Sequence, residues 1–361
     1  MREKLFIYPE SDTKLPDDFV FSHNICVRLY DQLVELLLNE NFREKTNVEV
    51  DLNEGQLDDF TNSENVLDWL KELDLMQDRQ EIISRNLVLA LASDVCHFIY
   101  QALDSAKNMK LTVAFTLIRK PFLENLSILE QLLVKEERFI QLFGENPNKF
   151  EPTKLAKEGN VDIIKECIKK IEGYSALHAD ILYELRWDKS NPNSIYANTN
   201  LATHLVTTRN SSYRTDSLNL NLIFSNNEDW EDQLQYFYYY VPYLLTYLLE
   251  VVDTYFFEKE IMDKDMLIER KFLRMISQMF MVGQSDEEAV GRKALLTIAN
   301  KIKVKCSSCE KLNSLYFSDF FGVIQFDYIL CKHCLADLLR ETDSMKDAMA
   351  TVVGMRDTEE E

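Results

Sequence analysis

The sequence predicts a mainly α-helical protein: a helical bundle with a small β-hairpin insertion and a C-terminal four-cysteine zinc finger. Three observations carry that prediction. Glycine and proline number only eight and seven in 361 residues. Together they usually make up about 12% of a chain, and sandwiches or barrels consume both in their turns. Apolar residues make up 46% of the chain, enough for a substantial core, and they recur at helical spacing over long stretches. Four of the seven cysteines stand in two Cys-x-x-Cys pairs near the C-terminus.

Residues 1–84 carry eight basic and twenty acidic side chains and read as an acidic helical subdomain with a solvated face rather than a mimic of DNA. Within them Ile25, Leu29, Leu33 and Leu36 form one stripe of a helix over 24–39. Thr61-x-x-Glu64 has capping-box form ahead of VLDWLKELDLM. Residues 85–300 form the bundle body. Leu87, Leu91, Val95, Phe98 and Ala102 line one helix face, a polar break follows at Lys107-Asn108, and Leu111 to Leu133 resumes the spacing. Pro121 inside this second run predicts a kink or a restart, because proline removes an amide and clashes with the preceding turn. A helix over 161–186 sets Ile164, Ile168, Ile171, Ser175, His178, Leu182 and Leu185 on one stripe.

The stretch 188–229 differs in kind, with nine asparagines and the period-two run Leu218-Asn-Leu-Asn-Leu222. It predicts a hairpin of Leu201–Arg209 with Leu218–Phe224, laid over the helices. Residues 229–257 hold seven of the sixteen tyrosines and are apolar nearly all round, which places that helix at the centre of the bundle. A Met-bearing helix over 258–282 and another opened by Ser285-x-x-Glu288 complete the body. The finger occupies 301–340. The tail, 341–361, has seven acidic and two basic residues.

Several function classes are excluded. The eight glycines are isolated from one another, so no GxGxxG, GxxxxGK[ST] or GxSxG can be drawn, and HExxH is absent as well. Without close-set glycines, backbone amides cannot approach a phosphate. A net charge of −21 excludes a globally basic surface for nucleic acid or acidic lipid. The N-terminal MREKLFIYPESD has no apolar run for a signal peptide. The uncharged run 236–249 has 14 residues where a span needs about 20, so it reads as a buried helix and no membrane partner is expected. Cys26, Cys96 and Cys167 read as buried free thiols, and the cysteine usage suits a reducing cytoplasm.

The paired motifs carry the chemistry. Cys306-Ser-Ser-Cys309 and Cys331-Lys-His-Cys334 are 21 residues apart. Two-residue spacing lets both thiolates of a tight turn face one ion, and two such turns complete a tetrahedron around one structural zinc. A closed four-cysteine site keeps no open position for catalysis, and His333 reads as a neighbour of the ion. The aromatic stretch between the pairs is long enough for two strands, and Cys334 opens LADLLRE, a possible helix. The whole resembles zinc ribbons and treble-clef fingers, although its knuckles lack proline and glycine. Charge reverses here, with eight basic and four acidic residues between Arg292 and Arg340. Lys301, Lys303 and Lys305, interleaved with Tyr316, Phe317, Phe320 and Phe321, are the candidate nucleic-acid contacts. The competing reading makes the aromatics the finger's own core.

In the body, candidate chemistry rests on Asp94, His97, Arg119, Glu124, His178 and Arg186. Asp94 and His97 lie one helical turn apart, so a carboxylate could orient the imidazole. His178, on an apolar stripe, reads first as a hydrogen-bonded core histidine. Arg119 and Glu124 flank Pro121 and could pair at the kink, where a buried arginine would satisfy a carboxylate or a freed carbonyl. The run LALASDVCHFIYQAL…LTVAFTLIRKPFLENLSILEQLL, followed by YSALHADILYELRW, resembles bacterial helical proteins near the HEPN and abortive-infection group. The resemblance covers roughly 85–257 through its helix pattern, an Arg-x4-Glu and a later His. It implies a helical body of a kind that can dimerise. HEPN ribonucleases use an Arg followed four to six residues later by His, and no His follows any Arg at that spacing here. Two functions are therefore expected. One is a cytoplasmic binding or regulatory protein that contacts protein or nucleic acid through its finger. The other is a metal-independent ribonuclease with His97 or His178 as base and Arg119 on phosphate.

Overall fold

The computed structural model describes residues 2–63, 65–145, 160–173, 177–208, 214–215, 217, 220–221, 230–282, 293, 297, 302–341 and 343–355. The fold is mainly helical, with one two-stranded antiparallel sheet, and the four paired cysteines meet near its C-terminal end. Two long helices form the axis of the bundle: α2 (Asp17–Leu38) and α13 (Trp230–Glu258). The short α1 (Arg2–Leu5) precedes them, and α3 (Glu40–Lys45) follows α2 directly. As its composition predicts, α13 is buried on every side over its second half. Between Val241 and Phe256 only Tyr243 is less than fully buried. The run expected to be a core helix rather than a span is therefore packed inside protein. Among the described residues one helix, α6 (Met76–Lys107), is long and apolar enough by length and composition to cross a membrane, with 33% of its apolar window buried.

Helices α4 (Glu54–Asn62) and α5 (Val66–Glu72) lead into α6. The cap of α5 is Asn65, whose side chain accepts from the Leu67 amide, and Thr61 lies inside α4 rather than at a helix start. The boundary expected at residue 84 falls inside α6, and the apolar face of α2 shares one continuous core with α13. At Pro121 the chain neither stops nor restarts. A π-helical turn, Lys120–Asn125, joins α7 (Leu111–Arg119) to α8 (Leu126–Val134). The wide turn accommodates a residue that can neither donate to nor stack on the turn before it. After α9 (Glu136–Glu145), the helix expected over 161–186 is two helices, α10 (Asn160–Lys170) and α11 (Ala179–Arg186). Gly173 divides them with φ +73°, a conformation that L side chains avoid. Ser175 lies outside the described residues.

In the asparagine-rich insertion the first expected strand begins as helix: α12 (Ile195–Thr203), capped by the Ser194 hydroxyl on the Ala197 amide. The following segment is held by antiparallel backbone bonds, Thr215 N to Thr207 O (2.9 Å) and Asn221 N to Leu205 O (2.8 Å). Leu218, Asn219 and 222–224 of the second expected arm lie outside the described residues, as does the helix expected from Ser285. The Met-bearing helix is α14 (Lys264–Val282).

The sheet lies in the finger, where β1 (Lys303–Lys305) pairs with β2 (Leu312–Ser314). The aromatic stretch after it is a helix, α15 (Phe317–Phe326), and not the two strands its composition allows. Phe320, Val323 and Ile324 recur at i, i+3 and i+4 and are all buried, so the period that settles the matter is helical. The second cysteine pair does not open a helix at once. Only after a bridge between Leu330 and Asp337 come the single turn α16 (Leu338–Glu341) and α17 (Asp343–Val352). The finger is joined to the body. Phe321 stacks on Phe21 of α2 with centroids 5.0 Å apart, and the Arg28 Nε donates to the Ile324 carbonyl at 2.5 Å. Met345 and Met349 of α17 are buried in the same core.

Candidate metal centre

The two knuckles fold alike because the same local rule shapes both. In the first, the Cys306 amide donates to Lys311 O (3.0 Å) and its carbonyl accepts from the Glu310 amide (2.9 Å). In the second, the Cys331 amide donates to Ala336 O (2.8 Å) and its carbonyl accepts from the Leu335 amide (2.9 Å). The residue after each second cysteine is left-handed, Glu310 at φ +59° and Leu335 at +65°. Glycine is the usual occupant of such positions, which explains why the sequence lacks the familiar knuckle signature while the backbone keeps its shape.

All four sulfurs lie within 4.8 Å of one another, with Cys306 to Cys334 at 3.6 Å and Cys309 to Cys331 at 3.7 Å. A tetrahedron with metal–sulfur bonds of about 2.3 Å has edges of about 3.8 Å. The quartet fits that figure, and its donor set of four thiols suits a thiophilic ion. Burial works against ionising Cys331. The amides of His333 and Cys334 and the Asn313 side chain outweigh it and bring that thiol down to about 6. Asn313 occupies the one inward position of β2 and is 1% exposed. Its amide reaches Lys311 O (3.1 Å) and Cys331 Sγ (3.5 Å), and its carbonyl accepts from the Lys332 amide (2.9 Å). It therefore ties one knuckle to the other. A polar residue at the inward position of a two-strand ribbon was the available sequence signal. His333 is exposed and offers no atom to the quartet.

The finger's surface is less cationic than its composition suggests. Lys303 and Lys305 are exposed on β1, Lys305 lying 4.0 Å from Glu310, and Lys301 lies outside the described residues. Lys332 bonds Ser314 O and Asp319 and sits 3.5 Å from the centre of the Tyr316 ring. Phe320 is core, as the competing reading required, and nothing is described of the Phe317 side chain.

The body's candidate residues are not gathered into one site, although His97 lies close enough to Asp94 to help lower its carboxyl. Asp94 bonds Lys120 (2.8 Å) and Asn125 (2.7 Å). Burial opposes its ionisation, yet those partners hold the carboxyl below its usual range. His97 is exposed and lines a separate cavity with Tyr30, Cys96 and Tyr100. Arg119 bonds Thr199 (3.1 Å) and Asn200 (3.0 Å) and covers the Tyr196 ring, so its partners are on α12 rather than at Glu124, which is half-buried in the π turn. His178 is not a core histidine. Because the chain breaks at Gly173, it leaves the stripe and stands exposed at the N-cap of α11, its amide donating to the Tyr243 hydroxyl (3.1 Å). The cavity that His178 lines does not include Arg119.

The arginine buried at the π turn is Arg186, not the Arg119 expected there. It is fully buried, donates to the Phe122 carbonyl in the π turn (2.8 Å), and bonds both oxygens of Glu130 (2.5 and 3.1 Å). A second ionic cluster escaped the sequence reading. Arg270 bonds Asp253 through two nitrogens (2.8 and 2.7 Å), Arg274 bridges Glu250 (2.8 Å) and Asp253 (2.6 Å), and Lys271 bonds Glu250 (2.5 Å). Gln32 of α2 closes it by accepting from Arg274 (2.9 Å). No family model, curated protein or solved structure matches this chain.

Proposed function

We propose that the quartet holds one structural zinc ion and that the chain is a cytoplasmic binding or regulatory protein whose zinc-stabilised finger engages a protein partner. The observation that carries this reading is the finger's outer surface. Leu312, Phe326, Tyr328, Leu330 and Leu335 are all exposed there, while Lys332 is engaged by its neighbours and Lys305 faces Glu310. Exposed apolar side chains gathered in one small module suit a protein contact. Unpaired cations would suit phosphate better. A closed set of four thiols supplies stability and leaves no coordination position for a substrate.

Metal analysis of the purified full chain tests the first half. One zinc per chain is expected, lost in Cys309→Ser together with the ordered finger. Zinc retained at full stoichiometry in that variant removes the assignment. The second half is tested with Leu312→Asp and Leu335→Asp, which are expected to abolish partner capture and leave zinc content unchanged. Labelled RNA and DNA decide the competing reading. Binding that weakens with salt and falls in Lys303→Glu and Lys305→Glu would replace the protein partner by a nucleic acid.

A further inference from the structure

A cavity of about 380 Å³ opens among α2, α11, α13 and α14, within the size range of small-molecule sites, about 300–1,000 Å³. Its floor is Ile25 and Leu29 of α2, both fully buried, and its mouth carries Ile181 and Tyr239, both about half-exposed. The cavity thus runs from the surface to the bundle axis. Its lining includes tyrosine rings, Pro242 and Met281, and no Asp, Glu, Lys or Arg. An ion seated on the floor would lose its hydration without meeting an opposite charge, because His178, the one imidazole of the lining, stands exposed at the N-cap of α11. Flat aromatic walls and a polarisable thioether favour a ring.

Two of the hydroxyls in the wall are spent on the protein's own backbone. Thr246 donates to Pro242 O (2.8 Å) and Ser277 to Leu273 O (2.8 Å). Tyr243 differs. Its oxygen accepts the His178 amide, and among the described residues its own proton goes to no protein group. Burial raises this phenol above its ordinary value, so it remains a protonated donor at neutral pH. The break at Gly173, which brings His178 to the N-cap of α11, is what fixes this hydroxyl at the cavity.

We propose that this cavity binds an uncharged aromatic molecule bearing a hydrogen-bond acceptor, the acceptor seated on the Tyr243 hydroxyl. The site is independent of the finger, so it gives a binding protein a second, small-molecule input. Prodan, a neutral naphthalene ketone whose emission shifts to the blue out of water, is the probe. Saturable binding of one Prodan per chain is expected. Ile181→Trp fills the mouth from a half-exposed position that the fold does not need, and should weaken binding at least about tenfold. Tyr243→Phe should weaken it about five- to tenfold, the usual worth of one such bond. Anilinonaphthalene sulfonate, of similar ring size but anionic, should not displace the probe. Circular dichroism establishes that each variant is folded. Undiminished binding by folded Ile181→Trp, displacement by the sulfonate, or no saturable blue shift with the native chain would each overturn the proposal.

Discussion

Between α13 and α14 the bundle takes five ionised side chains out of water, and each finds its opposite within the chain. Asp253 is held below the usual carboxylate range by Arg270 and Arg274 in spite of its burial, and Lys271 is lowered by burial in spite of Glu250. In the finger, four thiols are gathered just as tightly, but they are all donors of one kind with no cationic side chain among them. The first cluster supplies both signs of charge, with only Arg274 Nη2 lacking a hydrogen-bond partner among its described atoms, whereas the second gathers donors of one kind that could hold a metal ion. The difference separates polar groups buried to fix how helices meet from polar groups buried to hold a ligand. It also explains why the more heavily charged of the two clusters is the less informative about function.

The sharpest way to break the comparison is to remove one member of the self-sufficient cluster. Arg274→Met leaves Glu250 and Asp253 with one cation each and strands Gln32, whose side-chain oxygen it also bonds. Loss of one partner from a buried ionic cluster costs about 3–5 kcal/mol, and urea unfolding followed by circular dichroism should show a loss of that size. A loss under about 1 kcal/mol would mean that the remaining ions rearrange and the cluster is not a closed unit. The quartet should not feel this change, so zinc content in Arg274→Met is expected to equal that of the native chain.

A smaller effect comes from a polar group buried without charge. His23 sits in the same core, its Nε2–H donating to the Leu5 carbonyl (2.9 Å) and its Nδ1 accepting the Tyr238 hydroxyl (2.9 Å). Burial lowers its pKa to about 4, the Leu5 carbonyl opposing and Lys107 reinforcing the shift. The folded chain therefore keeps it neutral in a range where the unfolded chain, titrating near 6.5, takes up a proton. Below about pH 6.5 the unfolded state binds more protons, so stability falls as pH falls. The loss amounts to about 2 kcal/mol between pH 7 and pH 5 and levels off below about 4. His23→Gln should be less stable throughout but lack this slope. An equal slope in the variant would place the titration elsewhere.

How much of this was legible follows from which residues interact locally. The centre of the bundle showed in α13 because burial all round leaves an unbroken apolar run. The quartet showed because its spacing is set within each short turn. Pro121 announced an irregularity in the helix, found as the π-helical turn, since one residue both lacks the amide and clashes. The ionic cluster stayed hidden because Glu250 and Asp253 find their partners 17 to 24 residues later, across a helix turn. Only the packing of α13 on α14 says that they meet. The α15 stretch was ambiguous for a related reason. Its aromatics fit a strand or a helix until Phe21 and Phe272, both far away in sequence, define the face it must present. The break before His178 turned on Gly173 alone, where an added Cβ would lie 2.5 Å from the Val353 carbonyl.

The finest test concerns the knuckles, where the finger holds its shape against local preference. Leu335 is 71% exposed, has φ +65°, and donates its amide to the Cys331 carbonyl. A left-handed conformation costs an ordinary residue about 1–2 kcal/mol, and an exposed leucine recovers little of that through packing. Leu335→Gly removes the strain but adds freedom to the unfolded chain, worth about 0.5–1 kcal/mol in the opposite direction. The net expectation is a gain of about 0.5–1 kcal/mol, read as tighter retention of metal against a chelator titration. Glu310→Gly is the matched control, because that side chain also lies 4.0 Å from Lys305 and should return less. If Leu335→Gly holds metal more weakly than the native chain, the leucine side chain supports the knuckle, and the strain argument for this pair of turns fails.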